Sequence, residues 1–113
     1  MGGFYMPQLQ FKSIKKDDIC AISTKLIDEL QKVLECPRDY FTLEIINNSY
    51  IFDGKEVNSY PIIEVKWFDR GQEVQDKIAK IITKNLKEIG YNSVDIFFTI
   101  LKENNYYENG EHF

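Results

Sequence analysis

The strongest constraint on this chain is that its second half repeats its first. Pro7-Gln8-Leu9-Gln10-Phe11-Lys12 aligns with Pro61-Ile62-Ile63-Glu64-Val65-Lys66 at an offset of 54 residues, and Lys16 then falls on Arg70. The segments that close the halves align at an offset of 53, Leu43 on Ile96 and Ile45 on Phe98. Self-similarity on this scale marks duplicated supersecondary units. In the first unit, Leu9 and Phe11 alternate with Gln8, Gln10 and Lys12, the period of a half-buried strand. Ile19, Ile22, Leu26, Ile27, Leu30, Val33 and Leu34 then form one helical stripe. Phe41 to Ile45 alternates again as a second strand. The second unit repeats this order: a strand over 61–68, a stripe of Val74, Ile78, Ile81, Ile82, Leu86 and Ile89, and a closing strand over 94–98.

Two β-α-β units with right-handed crossovers predict an α+β fold, a two-layer sandwich with both helices on one face of a four-stranded sheet. The expected layout is one domain over 7–113, with units 7–46 and 61–101 and a tail over 102–113. A ferredoxin-like arrangement shares the same element order, and strand order is not written in the sequence. Ile46, Ile62, Phe97 and Thr42 are expected on the uncovered face, so that face is half apolar and invites association. Glu44 and Glu64 fall on the polar faces of their strands, and they need partners if that face is buried in an oligomer.

Punctuation supports the element limits. Asp17 or Asp18 is expected to cap the first helix, and Pro37 to end it. Asp69 with Gln72 resembles a capping box, and Gly90 sits where a left-handed carboxyl cap belongs. Asp53-Gly54 and Asn109-Gly110 are turn signals, one in the polar connection 47–59 and one in the aromatic tail. If Cys20 and Cys36 both lie on the first helix, they stand roughly 24 Å apart at about 1.5 Å per residue, and no disulfide can join them.

Composition narrows the function classes. The formal net charge of -4 lacks the basic footprint of nucleic-acid binding. No apolar run approaches a bilayer span, and no signal peptide is expected at the amino terminus. Two free thiols suit a reducing, cytoplasmic setting. His112 is the chain's one histidine, so no metal site is expected.

Met6-Pro7 followed by a strand, helix and strand, all repeated once, resembles the tautomerase superfamily, which includes macrophage migration inhibitory factor and 4-oxalocrotonate tautomerase. The stretches Cys36-Pro37-Arg38-Asp39-Tyr40-Phe41, Trp67-Phe68-Asp69-Arg70-Gly71-Gln72-Glu73 and Tyr106-Tyr107-Glu108-Asn109-Gly110-Glu111-His112-Phe113 are similar to a family of small bacterial proteins within it that has no assigned function. The resemblance covers 7–113. It implies a homotrimer and a cofactor-independent tautomerase or isomerase acting on a small anionic keto-enol substrate, with an exposed amino-terminal proline as base. Pro7 is then the catalytic candidate. A secondary amine near neutral pKa is an efficient general base, and an apolar pocket lowers its pKa.

For a carboxylate ligand the candidate binding residues are Arg70 and Arg38, the chain's two arginines, whose forks bind carboxylates in two places. Lys12, Phe68, Phe97 and Tyr107 are the remaining candidates for the pocket wall. The sequence departs from the inhibitory factor where a pocket lysine corresponds to Cys36 and a pocket tyrosine and asparagine to Asp95 and Phe97. It departs again at Met1 to Met6, which leave the Pro7 nitrogen an amide. These six residues read as an added leader or a misplaced start. The competing reading is a non-catalytic oligomeric binding protein that keeps the fold.

Overall fold

The computed structural model describes residues 6–112. Strand β1 (Gln8–Lys12) leads through helix α1 (Lys16–Leu34) to β2 (Thr42–Ile46). A hairpin of β3 (Tyr50–Phe52) and β4 (Lys55–Val57) follows. Then β5 (Ile62–Phe68), helix α2 (Gln72–Glu88) and β6 (Asp95–Leu101) repeat the first unit, and a hairpin of β7 (Tyr107–Glu108) and β8 (Glu111–His112) ends the chain.

The main sheet has the order β2-β1-β5-β6. Each unit keeps its own two strands adjacent and parallel, and the units join through the antiparallel pair β1–β5. A ferredoxin-like sheet splits its β-α-β units, so this order excludes it. The duplication is visible in the register. Gln10 pairs with Glu64, its own counterpart at the 54-residue offset, so a local two-fold axis passes between them. Gln10 also pairs with Glu44, and Glu64 with Phe97, which are counterparts at the 53-residue offset. The prolines obey the same symmetry. The carbonyl of Pro7 accepts the Thr42 N–H at 3.2 Å, and that of Pro61 accepts the Asp95 N–H at 3.1 Å. Lacking an N–H, proline is tolerated at the start of a strand, and here each still supplies the first rung of its ladder through its oxygen.

Alternation divides the sheet. Leu9, Phe11, Ile63, Val65 and Trp67 are buried beneath the helices, against Ile22, Leu26 and Leu30 of α1 and Ile78, Ile82 and Leu86 of α2. Burying a side chain such as Leu26 contributes roughly 2 kcal/mol. The uncovered face carries Thr42, Ile46, Ile62 and Phe97 as the alternation requires, since each pairs with a residue out of phase with this core. Both of its glutamates have partners: Gln10 Nε2 donates to Glu44 Oε1 at 2.8 Å, and Thr99 Oγ1 donates to Glu64 Oε2 at 2.7 Å.

Three local expectations are corrected. Neither Asp17 nor Asp18 caps α1: the cap residue is Lys15, without a side-chain bond, and both aspartates fall in the first turn. Acids there still favour the positive end of the helix dipole. The Asp69–Gln72 capping box does not form. Asp69 Oδ1 accepts the N–H of Gly71, two residues on, at 2.8 Å, and Gln72 reaches Asp76 instead. Cys36 is not on α1, because Glu35 turns into the left-handed region (φ 53) and ends the helix before it. Both cysteines are free. Gly90 (φ 104) closes α2 as expected. Its N–H bonds to the Lys87 carbonyl, and that of Tyr91 bonds to the Leu86 carbonyl, the paired bonds of a Schellman motif. Asp53-Gly54, both at positive φ, form the tight hairpin turn that such dipeptides favour. Among the described residues no helix is long and apolar enough to cross a membrane.

Candidate functional site

The antiparallel register that pairs Gln8 with Lys66 brings Pro7, one step before β1, beside Trp67, one step further along β5. Two more residues then converge there. Phe68 ends β5, with its ring against Tyr106 of the tail (centroids 5.7 Å apart, edge to face). Arg70 follows on the turn that Asp69 holds. Met6, Pro7, Trp67, Phe68 and Arg70 line a cavity of about 20 Å³. Pro7 and Met6 are both buried. Trp67 is buried within the core, its ring tilted against Phe98 at 5.3 Å. Four of the five lining residues are apolar or aromatic and the fifth supplies a guanidinium.

Arg70 is held in place. Its Nη1 donates to the Leu34 carbonyl at 2.6 Å, satisfying a helix end that lacks an intrahelical partner. A guanidinium has five N–H donors, so this bond fixes its position without exhausting its capacity. Cys36 lies within its field. Burial pushes the Cys36 thiol up from its ordinary 9.0, and the Arg70 charge offsets part of that rise. The thiol therefore stays protonated at neutral pH, which is the state of an inert buried cysteine.

The other expected residues sit elsewhere in the chain. Lys12 and Phe97 share a second hollow of about 360 Å³ on the uncovered sheet face, with Gln10, Glu64 and Tyr50. Lys12 is at the far end of β1 from Pro7, which is why the two do not meet. Arg38 stands on a short 3-10 turn and forms an ion pair with Asp28 of α1, both side chains well exposed. Tyr107 is 57% exposed and stacks at an angle on His112 (4.4 Å) across the tail hairpin. Pro7, Arg70 and Phe68 are therefore the three candidates brought together.

Size alone does not pick the site. A larger hollow, about 600 Å³, runs along α2 past Lys80, Lys84 and Lys87. Its lining offers lysines and apolar stems on a surface helix, with no aromatic wall. A further hollow of about 460 Å³ separates α1 from the edge strand β2. Among the described residues no group of His, Cys, Asp and Glu could hold a metal ion. One participant at the Pro7 end was not singled out from sequence: the Leu34 carbonyl that holds Arg70. A backbone group has no motif. Met6 was read only as the residue before Pro7, not as part of the wall.

Comparison with known proteins adds family and fold. Residues 6–112 match the family described as Domain of unknown function (DUF1904). A member of that family from Sebaldella termitidis, solved by crystallography, is 42% identical over 96% of this chain and 100% of its own, with a TM-score of 0.85. A macrophage migration inhibitory factor-like protein from Entamoeba histolytica is 20% identical over 96% of this chain and 99% of its own, with a TM-score of 0.69. A protein solved after inactivation by 2-oxo-3-pentynoate is 10% identical over 92% of this chain and 93% of its own, with a TM-score of 0.71. The fold is therefore that of the macrophage migration inhibitory factor and its tautomerase-like neighbours. No curated protein matches the sequence.

Proposed function

The chain belongs to the family of unknown function DUF1904, and from the chemistry gathered at Pro7 we propose that it is a cofactor-independent tautomerase-like enzyme for a small anionic keto-enol substrate. The observation that carries this reading is the shared cavity of Pro7, Arg70, Phe68 and Trp67. In a mature chain that begins at Pro7, the proline nitrogen is a secondary amine. Its apolar walls disfavour the ammonium and lower its pKa toward neutrality, which suits a base that takes a proton from carbon. Arg70, held by the Leu34 carbonyl, supplies the positive charge that binds a carboxylate. Phe68 forms an apolar wall beside it. The fold neighbour inactivated by 2-oxo-3-pentynoate supports a 2-oxo acid as the ligand class.

Self-association belongs to the same proposal. Phe97 on the uncovered face is 44% exposed, and Ile51 and Phe52 of the β3–β4 hairpin are 67% and 72% exposed. A trimer that covers these surfaces would bring the Lys12–Phe97 hollow to a subunit contact.

The test is the enol-to-keto conversion of phenylpyruvate by protein that begins at Pro7. Replacing Pro7→Ala is expected to lower the rate by about a hundredfold or more, the usual worth of a positioned base. Equal rates reject Pro7 as the base. A second reading, an oligomeric binding protein without catalysis, is favoured by one observation: with Met6 attached, as in this chain, the Pro7 nitrogen is an amide with no basic lone pair. That reading predicts carboxylate binding with no turnover in either form.

A further inference from the structure

We infer that the indole N–H of Trp67 is a second oxygen-binding donor at this site, acting beside Arg70 on a small 2-oxo carboxylate. The inference rests on the proposed reading for where the ligand sits, but not on Pro7 being the base. Trp67 is 1% exposed. Its Nε1 is buried, and it has no hydrogen-bond partner among the described residues. The indole nitrogen is a donor only, and a buried donor without an acceptor is costly to keep. The alternatives around the ring offer little. Phe98 packs on it, and Leu9 and Val65 belong to the same buried sheet face. Trp67 is also one of the residues that line the cavity with Pro7, Phe68 and Arg70, and that cavity is where the inference places its acceptor.

The size and charge of that cavity select the ligand atom. About 20 Å³ holds roughly one water-sized group, so what enters is a single oxygen rather than a ring or chain. The neighbouring side chain, Arg70, is also a donor without acceptor capacity. Two donors around one oxygen-sized space require an acceptor, and the guanidinium favours an anionic one. A 2-oxo acid presents such oxygens at adjacent carbons. One seats between Trp67 and Arg70, and the rest of the molecule extends along Phe68. A ligand lacking that oxygen leaves the indole N–H unpaired, so Trp67 sets specificity for oxo acids over simple hydrocarbons of like size.

The chain has one tryptophan, so its indole N–H gives a single, assigned resonance. The full chain, labelled with nitrogen-15, is titrated with pyruvate to tens of millimolar. The expected result is a saturable downfield shift of the indole proton. In parallel, Trp67→Phe, which keeps an aromatic ring and removes the donor, is expected to weaken pyruvate binding by roughly tenfold in calorimetry. An indole resonance that does not move, whether or not other resonances titrate, overturns the inference. So does a Trp67→Phe protein that binds pyruvate as well as the parent. Phenylpyruvate conversion by the form that begins at Pro7, titrated with pyruvate in the same way, keeps the two ideas apart. An indole shift without turnover counts against the proline base and leaves this inference standing. Turnover without an indole shift does the reverse.

Discussion

Tyr91 lies outside every hollow described above, yet its hydroxyl joins the two helices. It accepts the Lys15 N–H at 3.1 Å and donates to the Asp18 carboxylate, so the end of α2 is pinned to the start of α1. This also explains why Asp18 does not cap its helix: its carboxylate is engaged by a residue 73 positions away. Burial, and then the hydrogen bond to Asp18, raise the Tyr91 pKa above its ordinary 10.0. The sign follows directly. The protonated phenol is favoured in the folded state, so its contribution is complete below pH 10 and is lost as pH rises through the higher folded value. Tyr91→Phe is expected to cost about 1–2 kcal/mol in urea unfolding at pH 7, since the Lys15 N–H also loses its acceptor. The gap between variant and parent should close as the pH is raised above 10. A gap that stays constant into strong alkali would refute the assignment.

At the scale of the element, Gly90 makes the clearest case. Its φ of 104 is reached readily by glycine alone, and a Cβ built there meets nothing within 4 Å. Any penalty for Gly90→Ala therefore comes from the backbone and not from a clash. The expected loss is about 1–2 kcal/mol, read as a lower urea midpoint with an unchanged slope. This residue was legible in the sequence because its conformation follows from local chemistry. Strands and helices were legible for a similar reason, since Leu9 and Phe11 or Ile78 and Ile82 report a period that burial enforces. The capping aspartates were not, because a carboxylate near a helix start can bond to several groups, and tertiary partners decided among them. Asp18 went to Tyr91 and Asp69 to Gly71. Cys36 was misplaced for want of one residue, Glu35, whose left-handed turn has no glycine to announce it. At the candidate site, Pro7, Arg70 and Phe68 could be named from motifs. The meeting of Pro7 with Arg70 and Phe68 could not, because it depends on β1 and β5 running antiparallel with one particular register.

For the whole molecule, the near two-fold symmetry at the Gln10–Glu64 pair makes the two strand-opening prolines structurally equivalent and chemically distinct. Each gives its carbonyl to the first residue of the neighbouring strand. Pro61 is flanked by chain on both sides in every form of the protein and serves the sheet alone. Pro7 is buried beside Arg70 and Trp67, and its chemistry turns on whether Met6 precedes it. An amide there is inert, whereas a free secondary amine in the same place is a base. The most direct test compares two forms of the protein, one beginning at Pro7 and one retaining Met1 to Met6, in phenylpyruvate enol-to-keto conversion across pH. The form beginning at Pro7 is predicted to show kcat/KM rising with pH through a single ionisation below that of an ordinary secondary amine, and the longer form to show no conversion above background. Equal rates and the same pH profile in both forms would contradict the account.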